Sequence, residues 1–471
     1  MSSLRKTDGD RSSQSATGPD PWSIYQPRSE LPWNLRRVVH LHRRAGFAAT
    51  WDEVQRDLRD GPAKSIDRML SGKSSASWTP PDFESISKVL AEAAVAAHDP
   101  ARLKAWWFYR MLFGPDSLGE RLTLMWHNQF ATSNLKVADL AAMHAQSELF
   151  RKNARRPFGE LLGAAVRDPA LLVWLDAAAN RKEHPNENLG RELMELFTIG
   201  LAYTETDVRE AARALTGWTV EDEAFQDIAT LHDDGEKTIL GHKGRWRGDD
   251  LLKMLLEHPG TARRLAQRLC QEFMGENAIT PAQLEELAAG LRSRQLDIAW
   301  GVETILRSEA FFAEANLGNR VIAPVEYIIG AVRSLEMLDP PPSTLVLADW
   351  AMRLGQDLFY PPNVFGWPGG RAWITTRSVL ARANCAASLI GGTGVGRPEP
   401  FDALGLARRH GGGQDIDDVV TFYGKLVLGY EPATDFRKRL HSAAGSKAPS
   451  EGHTVRRIVT LMLASPEAQL C

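Results

Sequence analysis

AFQDIATLHDDGEKTILGHKGRW, residues 224–246, holds the best strand signal in the sequence, and its reading decides the fold class. The Asp234-Gly235 pair suits the tight turn of a small β-hairpin, whose central residues need positive φ. Outward from this stretch, apolar residues recur at helical spacing. Periodic runs cover 34–46, 52–70, 83–97, 99–113, 117–133, 136–155, 158–168, 186–200 and 205–217 on one side. On the other they cover 249–274, 280–314, 324–338, 343–355, 374–391, 415–428 and 432–468. Thr204, followed by Glu205 and Asp207, resembles a capping box, and Thr280-Pro281 puts proline at a first helical position. Strands do not alternate with helices in the way a parallel sheet requires. The expected fold is all-α, a large multi-helical domain with one small β-hairpin excursion near 224–246. Residues 1–32, rich in Ser, Gly, Pro and charge, are expected to form a disordered tail. The main helical domain is expected over 33–390, and GGTGVGRPEP, 391–400, reads as a linker into a C-terminal helical segment, 391–471, packed on it.

Composition narrows the function. The 471 residues are 43% apolar and 24% charged, the balance of a globular protein with ample core. A net charge of −3 offers no basic surplus for a phosphate backbone, so nucleic acid is not an expected partner. No apolar run reaches the length of a membrane span, and the N-terminal residues lack the apolar core of an export signal. The cysteines Cys270, Cys385 and Cys471 are too far apart for a zinc motif and read as buried, reduced thiols, which points to the cytoplasm.

Four stretches carry candidate chemistry. In NENLGRELMELFTIG, 186–200, Asn188, Glu192 and Glu195 form one helical stripe beside Leu189, Leu193 and Leu196. Buried carboxylates must be paired, protonated or metal-bound, so the acids either face an arginine such as Arg191 or belong to a site. In ERLTLMWHNQFATSN, 120–134, Glu120 and His127 share a face, and His127 is either a hydrogen-bonded core residue, a metal ligand or a general base. LHDDGEKTILGHKGRW, 231–246, gathers His232, Asp233 and Lys237 around the expected turn. DLFYPPNVFGWPGGRAWITTRS, 357–378, is a stiff aromatic loop that forms either a pocket wall, with Asn363, Trp367 and Arg371 as contacts, or an internal plug.

Taken together, RLTLMWHNQFATS, DPALLVWLDAAANRKEHPNENLGRELMELFTIG, YTETDVREAARALTGW, HDDGEKTILG and YPPNVFGWPGGRAWI resemble the bacterial family known as domain of unknown function 1800, over roughly 35–468. The resemblance implies a helical protein whose genes often neighbour those of a sulfatase-like family, a possible partner protein. Members typically carry WHNHF or WHGHF, and here the second histidine is Gln129. So many polar motifs in one chain imply a site assembled from several helices. The leading expectation is an enzyme acting on a small polar substrate by hydrolysis or oxidation. Glu192, Glu195, His127 and Lys237 would be catalytic, and Asn188, Asn363, Trp367 and Arg371 would bind substrate, with Glu187 behind them. A divalent transition metal (iron, manganese or zinc) would be held by His127, Glu192, Glu195, His232 and Asp233. Two alternatives stand beside it: a metal-free acid/base enzyme built on the carboxylate pair, and a non-enzymatic helical scaffold or binding protein.

Overall fold

A computed structural model describes residues 20–73, 78–275, 277–397, 399–413, 415–445 and 450–471. Among them are twenty-three α-helices and two small antiparallel two-stranded ribbons, so the fold is all-α with a minor β component. Helix starts follow local chemistry. Thr204 N donates to Asp207 Oδ2 at 2.8 Å while Asp207 N donates to Thr204 Oγ1 at 3.2 Å, closing the capping box. The run expected over 249–274 is two helices, Gly248–Glu257 and Pro259–Phe273. Pro259 has no N–H to continue the first helix and holds His258 extended.

The β excursion differs from expectation. Trp218–Glu221 pairs with Ala224–Asp227, and Lys237–Ile239 pairs with His242–Gly244. The turns are Asp222-Glu223 and Leu240-Gly241, all four at positive φ, as two-residue hairpin turns require. Asp234-Gly235 turns neither ribbon, because Asp233 Oδ1 takes the Gly235 N–H at 2.8 Å in a local side-chain turn.

Residues 1–19 of the expected tail lie outside the described residues; of 20–32, Tyr25 and Leu31 are buried and most of the rest is exposed. Tyr25 is buried, its ring centroid 4.5 Å from that of Phe312 and its hydroxyl donating to Leu31 O at 2.9 Å. One aromatic side chain inserted into a core outweighs the polar composition around it.

The buried residues form two large cores. One gathers Tyr25, Trp126, Phe158, Leu193, Leu269 and Phe312, and the other gathers Trp107, Ile328, Leu389, Tyr423 and Ile458. The two interleave along the chain: the Trp107 core also takes Phe47, Phe83 and Met143, and the C-terminal segment contributes to that same core. The helix Ser117–Gln129 lies between them, giving Leu124 to one core and Leu118, Leu122, Met125 and Trp126 to the other. Each such side chain contributes roughly 1.5–3 kcal/mol by leaving water, so this helix is anchored from both sides. No helix among the described residues is long and apolar enough to cross a membrane.

Candidate functional site

The helix Ser117–Gln129 ends in Trp126, His127, Asn128 and Gln129, and these four side chains reach three other segments, the 357–378 loop twice. Trp126 Nε1 donates to Ala154 O at 3.0 Å, and Phe359 N donates to His127 Nε2 at 3.2 Å. Asn128 Oδ1 accepts from Trp367 N at 2.7 Å, and Gln129 Nε2 donates to Leu196 O at 2.7 Å. Successive helical side chains point about 100° apart, so four adjacent residues can clamp four neighbours at the centre of a molecule. Gly366 is part of this clamp. Its φ is +74°, and an added Cβ would lie 2.2 Å from Asn128 Oδ1.

His127 is therefore a positioning residue of the core. Its ring packs against Trp107, Phe359 and Trp367, and burial pushes its pKa down to about 3. Glu120, on the same helical face, is held down to about 2: Arg151 and Arg110 overcome the effect of its burial.

The opening acids behave differently from one another. Asn188–Glu192 is α-helical, and Leu193–Phe197 widens into a π-helix. Such one-turn widenings recur at functional sites. After the widening, Leu196 O takes its hydrogen bonds from Gln129 Nε2 and from Arg264 Nε, the latter at 3.2 Å. Gln129 thus serves as a donor to a helix end, a role a histidine N–H at that position can also fill. Glu195 Oε2 accepts from Tyr203 Oη at 2.5 Å. Glu192, half-buried one turn earlier, has no hydrogen bond or ion pair among the described residues. Burial, and secondarily the Glu195 charge, push its carboxyl up to about 7. Arg191 forms no ion pair with it, being engaged by Glu187 at 3.0 Å and Glu205 at 2.8 Å, and its charge offsets only part of this rise.

The remaining expected residues stand apart from this pair. Asp233 is bound by Arg213 at 2.7 Å, which with the Gly235 N–H holds its carboxyl below the usual range. His232 Nδ1 lies 2.9 Å from Thr216 O, and the buried Lys237 ammonium donates to Asp233 O and Gly235 O. These three groups fix the 231–239 segment against the end of the helix Glu205–Ala214. Asn188 Nδ2 reaches Asp176 at 3.5 Å, Asn363 caps its own turn by accepting from Phe365 N, and Arg371 is exposed. The five expected metal donors do not fit one ion. His127 Nε2 and the Asp233 carboxylate are already committed, and the described residues hold no group of three or more His, Cys, Asp or Glu able to share a metal.

A polar cavity of about 350 Å³ opens where the two cores meet, and the sequence reading missed most of its wall. Leu196, Gln129 and Asn128 line one part, and Trp367, Pro368 and Trp373 of the aromatic loop line another, while Trp367 and Trp373 also pack into the core. The charged part is Arg264, Arg268 and Glu272 on the helix Pro259–Phe273, with Arg320 and Glu326. A signal for the first three was present: in ARRLAQRLCQE, 262–272, they recur every fourth residue, so they share one helical face.

The clamp, the π-helix and the aromatic loop are built from the same polar motifs that suggested a family. A family model described as protein of unknown function (DUF1800) matches residues 40–470. The chain belongs to that family. No curated protein and no solved structure matches it. For this DUF1800 protein the motif residues thus divide in two. His127, Asn128, Asp233 and Lys237 hold segments together, whereas Glu192 is left unengaged beside Glu195.

Proposed function

We propose that the protein is an acid/base enzyme acting on a small polar molecule held in the cavity between the two cores, with Glu192 and Glu195 as its carboxylate pair. One observation carries this reading: Glu192 is half-buried and unpartnered one turn from a second carboxylate. Other acids of the motifs, Asp233, Glu187 and Glu120, have arginines. A carboxyl poised near neutrality both gives and takes a proton at working pH. Arg264 links the pair to the cavity. It lines the cavity, its Nε donates to Leu196 O, and the Glu195 charge acts on its guanidinium. Tyr203 fixes Glu195, which leaves Glu192 as the group that moves the proton. The three unpaired thiols, all buried, fit a reducing compartment such as the cytoplasm.

A second reading, a binding protein without turnover, is favoured by the absence of both carboxylates from the cavity wall. The test is untargeted conversion. Purified protein is incubated with a small-metabolite extract, and consumed and formed masses are compared with those of Glu192→Gln and Glu195→Gln. A substrate–product pair produced by the wild type and lost in both folded variants is expected. Molecules retained by the wild type but left unconverted would support the binding protein instead.

A further inference from the structure

The cavity wall carries more positive charge than the surrounding carboxylates neutralise. Arg121 and Arg320 are spoken for: Arg121 meets Glu272 at 2.8 Å and Glu326 at 2.9 Å, and Arg320 meets Glu326 at 2.7 Å. Arg268 has only a looser contact with Glu272, at 3.4 Å, and a long hydrogen bond to Met125 O, also 3.4 Å. Arg264 has no ion pair among the described residues, and its one hydrogen bond uses Nε, leaving both Nη groups unbonded by protein. Three guanidiniums, Arg121, Arg268 and Arg320, thus act on Glu272 and Glu326, and Arg264 stands beside them as a fourth positive charge. Adding Glu195, whose charge reaches Arg264, still leaves one positive charge in excess.

Arginine cannot discharge itself by losing a proton, so an underpaired guanidinium facing a low-dielectric wall keeps its charge and its donors. Burial pushes Arg264 and Arg268 below the usual arginine range, and for Arg268 the neighbouring Arg320, Arg121 and Arg264 act the same way against Glu272. The two lie one helical turn apart on the helix Pro259–Phe273, so their forks can converge on a single oxyanion. Trp367 and Trp373, both largely buried, supply an apolar surface to the same cavity, and Gly369 and Gly370 leave it open. A volume of about 350 Å³ exceeds what a bare ion fills; small-molecule sites begin at roughly 300 Å³.

We propose that the molecule taken by this cavity is a small organic anion, its carboxylate, phosphate or sulfate bound by Arg264 and Arg268 and its planar or apolar body resting on Trp367 and Trp373. This rests on the reading of the cavity as the ligand site, and it names the ligand's class.

The experiment is calorimetric titration of the full chain at fixed ionic strength with benzoate, phenyl phosphate, phenyl sulfate and the neutral analogue benzamide. Saturable binding of at least one anion, tenfold or more tighter than benzamide, is expected. Which anion binds best separates planar from tetrahedral recognition. Arg264→Gln should weaken that binding at least tenfold, Arg264→Lys should give an intermediate loss, and Arg209→Gln, an exposed arginine elsewhere, should leave it unchanged. Equal affinity for benzamide and the anions, or an equal loss in Arg209→Gln and Arg264→Gln, would overturn the anion assignment while the cavity reading stood. Binding of none of the four would overturn both. Anion binding without any conversion of metabolites would remove the acid/base role and leave this inference intact.

Discussion

Replacing Glu192 by Gln separates a site carboxyl from a structural one, because the two roles give opposite signs. In the folded protein the Glu192 carboxyl is pushed up to about 7 from an ordinary 4.5, burial being the larger cause and Glu195 the smaller. An acid raised in the folded state binds more protons there than in the unfolded chain. Its contribution is therefore fully present below about 4.5 and is lost as pH rises through about 7. At ~1.4 kcal/mol per tenfold change in proton affinity, the displacement sets a ceiling of ~3 kcal/mol. The side chain still meets water, which reduces this to ~1–2 kcal/mol. Gln mimics the neutral acid in shape and carries no charge. The variant should match the wild type at pH 4.5 and be more stable by ~1–2 kcal/mol at pH 8, a rise of roughly 1–4 °C in Tm. Thermal unfolding of both proteins between pH 4.5 and 8.5 measures this. A variant less stable than the wild type at pH 8 would refute the reasoning, because it would mean that Glu192 is paired with a cation after all.

Two further perturbations probe the clamp. His127→Leu removes the acceptor of the Phe359 N–H and should cost ~1–3 kcal/mol at pH 7.5 by denaturant unfolding. Because folded His127 sits near 3, well below an ordinary histidine, the wild type loses up to ~1.4 kcal/mol per pH unit below about 6.5 through this residue. The variant should lack that slope, so the two stabilities converge on acidification, and a constant difference between pH 7 and 4 would contradict a neutral, buried imidazole. Gln129→Ala should cost only ~0.5–1.5 kcal/mol, since Arg264 still donates to Leu196 O, while Gln129→His should restore most of it. Chemical denaturation of the pair checks this, and an equal loss in both variants would show that donation to Leu196 is not the role of this position.

The sequence by itself determined the helical class, most helix positions and the caps at Thr204 and Thr280, because these depend on neighbours within four residues. It also singled out the segments that meet at the centre of the molecule, including the aromatic loop that walls the cavity. It did not determine what those residues do. The same His127 is a ligand, a base or a core acceptor depending on Phe359, 232 positions away. The unpaired state of Glu192 is visible only once Arg191 is seen to be taken by Glu205. Arg264, Arg268 and Glu272 stood in plain helical register, but Arg121, which holds Glu272 more closely than Arg268 does, is 151 residues distant from that glutamate. Helical periodicity is a local property of the backbone. The charge state and availability of a side chain are set by desolvation and by partners brought from elsewhere, and only the tertiary structure supplies those.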